Sequence, residues 1–269
     1  MDAHSYLLLA LAFYSVGVGH VVAQTVSRRR IPTAWTAIAT LAGFAVHTAS
    51  LAQRWTEAGH FPAVGLHDGA SFLGWAVVLA FLTTYMRTGV DALGLLAFPA
   101  AFALVTIAFF SRPLESRGAS QSGLFLPIHT TLALFGYGAL FVAFAMGILY
   151  LVQERELKSR SPHTFYYLIP SLERCDTISG SSVKVGFGFL TLAIITGMLW
   201  SHSVKGAYLT GDAKEWAALI AWLIYVVLIL ARTRSGWGGR RAALLGIAGF
   251  AAVVFTFAWR TLYPGSLAP

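Results

Sequence analysis

Long, nearly uninterrupted apolar runs dominate this chain, and they leave few folds open to it. Runs over about 4–26, 32–53, 68–87, 91–111, 124–152, 183–203, 215–232 and 242–262 approach or exceed the ~20 apolar residues that span a bilayer. Charged residues make up 11% of the 269 and hydrophobic ones 57%, whereas a soluble domain carries about 25% charged residues. Transmembrane strands are short and alternate in polarity, unlike these runs. The expected fold is all-α: a polytopic membrane helix bundle of about eight transmembrane helices, a single integral-membrane domain over 1–269. Small residues recur in GFGFLTLAIITG (186–197), which suits close helix–helix approach in lipid. The lone cysteine, Cys175, excludes an internal disulfide and a CxxC metal or redox site.

The net charge of +8 would suggest nucleic acid in a soluble protein. Here it reads as an orientation signal, with the lipid bilayer as the partner and no nucleic acid. Thirteen of the 19 Lys and Arg residues fall in the connections 27–31, 87–91, 153–184 and 232–241, and six on the opposite side. The positive-inside rule then places those connections in the cytoplasm and both termini outside. It also makes the stretch HSVKGAYLTGDAKEW (202–216), a polar island between two apolar runs, extracytoplasmic. The first fifteen residues lack a basic segment and a small-residue cleavage site, so the first run reads as an uncleaved span.

Five of the eight histidines, His4, His60, His67, His129 and His202, gather at or near that same face. His47 lies within the second span, His20 towards the inner end of the first, and His163 in a cytoplasmic connection. Imidazole ligates haem iron and other metals, and ionisable groups inside spans tend to be functional. His129 and His47 are therefore the strongest candidates. A histidine in an interfacial loop is more often simply solvated, and no HxxxH, HExxH or CxxCH spacing is present. Trp55, Trp200 and Trp216 lie near span ends. A headgroup belt accounts for that position, and walling an outer pocket for a flat apolar ligand is the alternative. Glu154, Arg155, Glu156 and Lys158 read as a solvated charged end of the fifth span.

Several segments resemble one family in order. RWTEAGHFP (54–62) followed by SFLGWA (71–76) resembles the connection between the second and third spans of CcsA-type cytochrome c synthesis proteins. LPIHTTLALFGYGALFVAFAMGILYL (126–151) resembles their fifth span, which opens with a histidine; LIPSLERCDTIS, GFGFLTLAIITGMLW and the run from WLIYVV to VVFTF continue the match. The chain is identified as a member of the cytochrome c assembly superfamily (CcsA, CcmC, HemX and YpjD types), with a core over about 40–262.

The resemblance implies a haem-handling role. The family presents haem from a tryptophan-rich outer loop, WGxxWxWDPKE, between two flanking histidines. That loop falls on KGAYLTGDAKE (205–215): Gly206, Asp212, Lys214 and Glu215 match, while Lys205, Leu209 and Gly211 stand at the tryptophan positions and Ala213 at the proline. His129 matches the histidine before the loop, and PGSLAP (264–269) stands where the second one belongs. The implied haem-binding residues are His129, His202, His47, Trp200 and Asp212. His129 is the implied ligand to iron, and His202 at the outer end of the sixth span is the candidate substitute for the missing second one. The haem is expected to be b-type, and His47 is the candidate for a second site within the bilayer. Asp212, Lys214 and Glu215 also suit a plain helix start. A CcsB-like membrane partner and apocytochrome c are the implied protein partners, in a bacterial inner or plasma membrane. The chain supplies position rather than independent catalytic activity. The alternative role is a non-enzymatic HemX-like regulator or scaffold of haem biosynthesis or complex assembly.

Overall fold

Each apolar run folds as a helix. The structure, a computed structural model, describes residues 2–27, 31, 34–59, 61, 65–113, 124–159 and 164–262. These form α1 (Ala3–Ser27), α2 (Ala34–Ala58), α3 (Gly65–Thr88), a 3₁₀ turn (Asp91–Leu93), α4 (Gly94–Phe110), α5 (Phe125–Lys158), the short α6 (Thr164–Leu168), α7 (Leu172–Lys205), α8 (Ala213–Ser235) and α9 (Gly239–Leu262). Eight of them are long and apolar enough to cross a membrane, and no strand occurs among the described residues.

α5 and α7 differ from the sequence expectation. Each has 34 residues, or about 51 Å at 1.5 Å per residue, against ~30 Å of hydrocarbon. The run expected to end at 152 continues to Lys158, and the run expected to start at 183 begins at Leu172. The reason is amphipathic packing. Ser171 caps α7 by accepting from Arg174 N, and Cys175, Ile178, Ser179 and Val183 recur at helical spacing as buried residues. Ser179 Oγ donates to the Ala143 carbonyl of α5 at 3.3 Å. Charged residues on the outer face of this extension break the apolar run without breaking the helix. Glu156, expected to be solvated, is buried.

α5 is the central post, with a core on either side. One core packs Leu7, Tyr14, Val77, Phe81, Val105 and Met146 from α1, α3, α4 and α5; the other packs Leu140, Val183, Leu190, Tyr225, Leu228 and Val253 from α5, α7, α8 and α9. α3 approaches α5 so closely that a Cβ on Gly138 would lie 2.8 Å from the Ala76 carbonyl oxygen. At the arginine-rich end, Asp176 of α7 accepts from Arg232 Nη2 at 2.9 Å, from Arg232 Nη1 at 3.3 Å and from the Gly239 amide at 3.1 Å. One carboxylate thereby joins α7, α8 and α9.

Candidate functional site

At the opposite end, beside the 202–216 island, α3, α5, α7, α8 and α9 line a partly open cavity of about 190 Å³. Its α5 wall is a helical stripe of Leu126, His129, Thr130, Ala133, Leu134 and Tyr137. These residues recur three or four apart and so share one face. Tyr137 lies two turns below His129, and its hydroxyl meets Thr256 Oγ1 of α9 at 2.9 Å. Trp200 of α7 lines the same space, its Nε1 buried with no hydrogen-bond partner among the described residues.

His129 is held in a defined state. Its Nδ1 lies 2.7 Å from the carbonyl oxygen of Ala193 on α7. A carbonyl only accepts, so Nδ1 donates the proton, and in a neutral ring the lone pair would then fall on Nε2. This tautomer, fixed by a backbone carbonyl, is the one a metal-ligating histidine uses. The imidazole also has a dedicated seat. A Cβ added at Gly197 would lie 2.8 Å from Nδ1 and 2.9 Å from Cε1 of His129, so only glycine leaves room for the ring against α7.

The island forms the roof. α7 ends at Gly206, whose φ of 73° is left-handed and whose amide donates to the His202 carbonyl. Ser201 Oγ donates to the Ala207 carbonyl at 2.8 Å. Asp212 caps α8, accepting from Lys214 N at 3.3 Å, with Lys214 Nζ 3.7 Å from its other oxygen. Glu215, in the first turn of α8, reaches back. Its oxygens accept from Thr210 N at 2.7 Å, Thr210 Oγ1 at 2.8 Å and Gly211 N at 3.0 Å. The charges of the island thus start a helix and tie down the loop before it, while Lys205, Tyr208, Leu209, Lys214 and Glu215 face the cavity.

The structure brings His129 and Trp200 together but not the other candidates. His202 is exposed, stacks on Tyr208 with ring centroids 4.3 Å apart, and does not line the cavity. It follows Gly197 by five residues, about 140° further round α7 at 100° per residue. Asp212 serves as the α8 cap beside the cavity rather than in its wall. His47 is fully buried elsewhere, its Nδ1 3.3 Å from Tyr14 Oη and its Nε2 3.0 Å from Ser71 Oγ. Both ring nitrogens therefore join helices α1, α2 and α3.

Of the remaining histidines, His4 stacks on Phe109 and His67 Nδ1 donates to the Ala108 carbonyl at 2.7 Å. His20 meets Gln24 at 2.7 Å, and His60 and His163 lie outside the described residues, as does 264–269. Of the three tryptophans at span ends, only Trp200 lines the cavity. Sequence reasoning missed Gly197, Met198 and Tyr137. The stripe at three and four residues from His129 pointed to Tyr137; nothing local pointed to the other two.

A multi-span bundle with a histidine-bearing cavity under a short polar loop is the class of protein this architecture defines. Residues 65–265 match the family model described as cytochrome c assembly protein. The chain is 30% identical over 289 residues to the cytochrome c biogenesis protein CcsA of Prochlorococcus marinus (strain MIT 9303), covering 96% of this chain and 87% of that one. It is 31% identical over 213 residues to CcsA of Chlamydomonas reinhardtii, covering 76% of this chain but 59% of that longer protein. Among solved structures it is similar to the cytochrome c heme lyase CcmF, with a TM-score of 0.73 at 17% identity, over 99% of this chain and 48% of that one. The chain belongs to the cytochrome c assembly protein family, as a multi-pass membrane protein with a role in cytochrome c biogenesis.

Proposed function

We propose that this protein binds haem in the cavity beneath the 202–216 loop and holds it for delivery or presentation in cytochrome c biogenesis. The observation that carries the reading is the placement of His129 in the cavity wall, its Nδ1–H donated to the Ala193 carbonyl and its ring set against Gly197. Leu126, Ala133, Leu134 and Ile194 give the wall around it an apolar part. Haem b, which is held through its axial ligands and its surroundings alone, is the form that suits such a site. When bound, haem supplies the chemistry of its vinyl groups. His129 supplies an iron ligand, and the α5 and α7 walls supply orientation. No residue in the cavity is assigned as an acid or base, so the protein acts by positioning.

Under the positive-inside rule, the Arg-rich end faces the cytoplasm. The cavity then opens on the extracytoplasmic side of a bacterial inner or plasma membrane, with both termini on that side. Apocytochrome c and a CcsB-like membrane protein are the proposed partners there. A HemX-like regulatory role is the second reading. The residues at the family's aromatic positions favour it, since Lys205, Leu209 and Gly211 offer no aromatic platform.

Haemin titration of detergent-purified parent and His129→Ala protein tests the reading. Loss of at least tenfold in affinity, with helicity unchanged, is expected. Equal affinity removes His129 from the site and the haem reading with it.

A further inference from the structure

At the Arg-rich end, α8 and α9 meet in a tight turn, 236–239, where Gly236 and Gly239 take left-handed φ of 62° and 63°. The turn carries more cations than the carboxylates beside it can neutralise. Asp176 is taken by Arg232, and Glu154 lies 2.7 Å from Lys158 and 3.8 Å from Arg240. Arg234 and Arg241 are exposed and have no carboxylate partner among the described residues. Arg241 lies instead over the exposed ring of Trp237, 5.5 Å from its centroid.

The residues in line with each arginine decide the class of anion. On α8, Arg234 follows Leu230 by four residues and Val227 by seven; on α9, Arg241 precedes Leu244 by three and Ala248 by seven. Those spacings put each arginine and its apolar neighbours on one helix face. The faces are not packed against the bundle, since Leu230 is 46% and Leu244 49% exposed. Both helices are long and apolar enough to cross a membrane, so these leucines lie in the lipid while the arginines mark its edge. A free phosphate would use only the charge. An anionic phospholipid uses both parts: guanidinium pairs in a fork with phosphate oxygens, and acyl chains cover the leucines. Tryptophan suits the headgroup level between them. We propose that Arg234, Trp237 and Arg241 bind an anionic phospholipid of the surrounding membrane at the α8–α9 turn, its chains lying on the Leu230 and Leu244 faces. The site stands on the membrane-crossing helices alone, whatever the cavity at the other end holds.

Native mass spectrometry of the detergent-purified full chain tests this, with dioleoylphosphatidylglycerol and dioleoylphosphatidylcholine offered in equal amounts. The parent should retain phosphatidylglycerol in clear excess. A basic residue at a membrane surface contributes about fivefold in affinity for anionic lipid. Arg234→Ala and Arg241→Ala should therefore each lose about that factor, and the double variant should hold the two lipids about equally. Lys205→Ala, at the far end of α7, also removes one charge and should keep the parent's preference. Excess inorganic phosphate should not displace the lipid. A parent without preference, an unchanged double variant, or a Lys205→Ala protein that loses as much as either arginine variant overturns the site. Displacement by phosphate overturns the lipid as its occupant.

Discussion

Gly197→Ala is the substitution that bears most directly on the seat of His129. The added methyl would lie 2.8 Å from Nδ1 and 2.9 Å from Cε1, whereas ordinary van der Waals contact begins at 3.4 Å. The ring or α7 must therefore yield by about 0.6 Å, which is comparable with the whole spread of N–H···O distances, 2.7–3.2 Å. The 2.7 Å bond to the Ala193 carbonyl does not survive such a shift in good geometry. Alanine itself favours the helix by roughly 0.5–1 kcal/mol over glycine. Overpacking costs about 1–3 kcal/mol, and a weakened buried hydrogen bond about 1 kcal/mol more. The net loss of stability is therefore about 1–3.5 kcal/mol, while the ligand loses its orientation. Removing an orienting partner of a metal-bound histidine costs about 10–100-fold in affinity. Haemin titration alongside thermal unfolding in the same detergent reads both quantities. A Gly197→Ala protein that unfolds near the parent's temperature and binds haemin as tightly would refute the idea that this seat sets the ligand.

Three further substitutions probe the rest of the frame. Asp176→Ala removes the shared acceptor of Arg232 and the Gly239 amide. It should cost about 1–3 kcal/mol, and the Asp176→Ala/Arg232→Ala pair should cost less than the sum; additive losses in thermal unfolding would show that the contact carries no coupling. Glu215→Ala frees Thr210 and Gly211. Amide exchange across 206–212 should then speed up while α8 stays protected, and unchanged exchange would mean that the loop is held by other contacts. His47→Ala strands the Tyr14 and Ser71 hydroxyls in the core, at about 2–4 kcal/mol. The folded fraction should keep its haem content; haem loss from a fully folded His47→Ala protein would restore a second ligand site within the bilayer.

Architecture was legible in the sequence because lipid demands it openly: a span must be about 20 residues long and apolar. The arginine-rich ends of α5 and α7 were harder to read, since 153–158 and 172–182 interrupt the apolar pattern with charge, and α7 packs there through a narrow stripe from Cys175 to Val183. The site divides in the same way. His129 and Trp200, singled out from a family-like span and a span end, both fall in the cavity wall. His202 was misleading, because distance along the chain says nothing about rotation round α7, and five residues carry it off the cavity face. His47 could not be told from a ligand by sequence, since a buried imidazole bridging two hydroxyls and one binding iron occupy the same kind of position. Gly197 was invisible for a related reason: its role is the absence of a side chain opposite a particular ring. Asp212 and Glu215 had two readings, helix start or haem loop, and their hydrogen bonds place both in the architecture of the roof, Glu215 also lining the cavity.

The proposal with the widest consequences is that the cavity at the 202–216 end holds haem through His129. Its most direct test is the absorption spectrum of the protein purified in mild detergent, oxidised and then dithionite-reduced, with a pyridine haemochrome assay for stoichiometry. Close to one b-type haem per chain is expected. Protein that is folded, expressed with ample haem precursor and still without haem would contradict it, and would turn the assignment towards a regulator built on the same bundle.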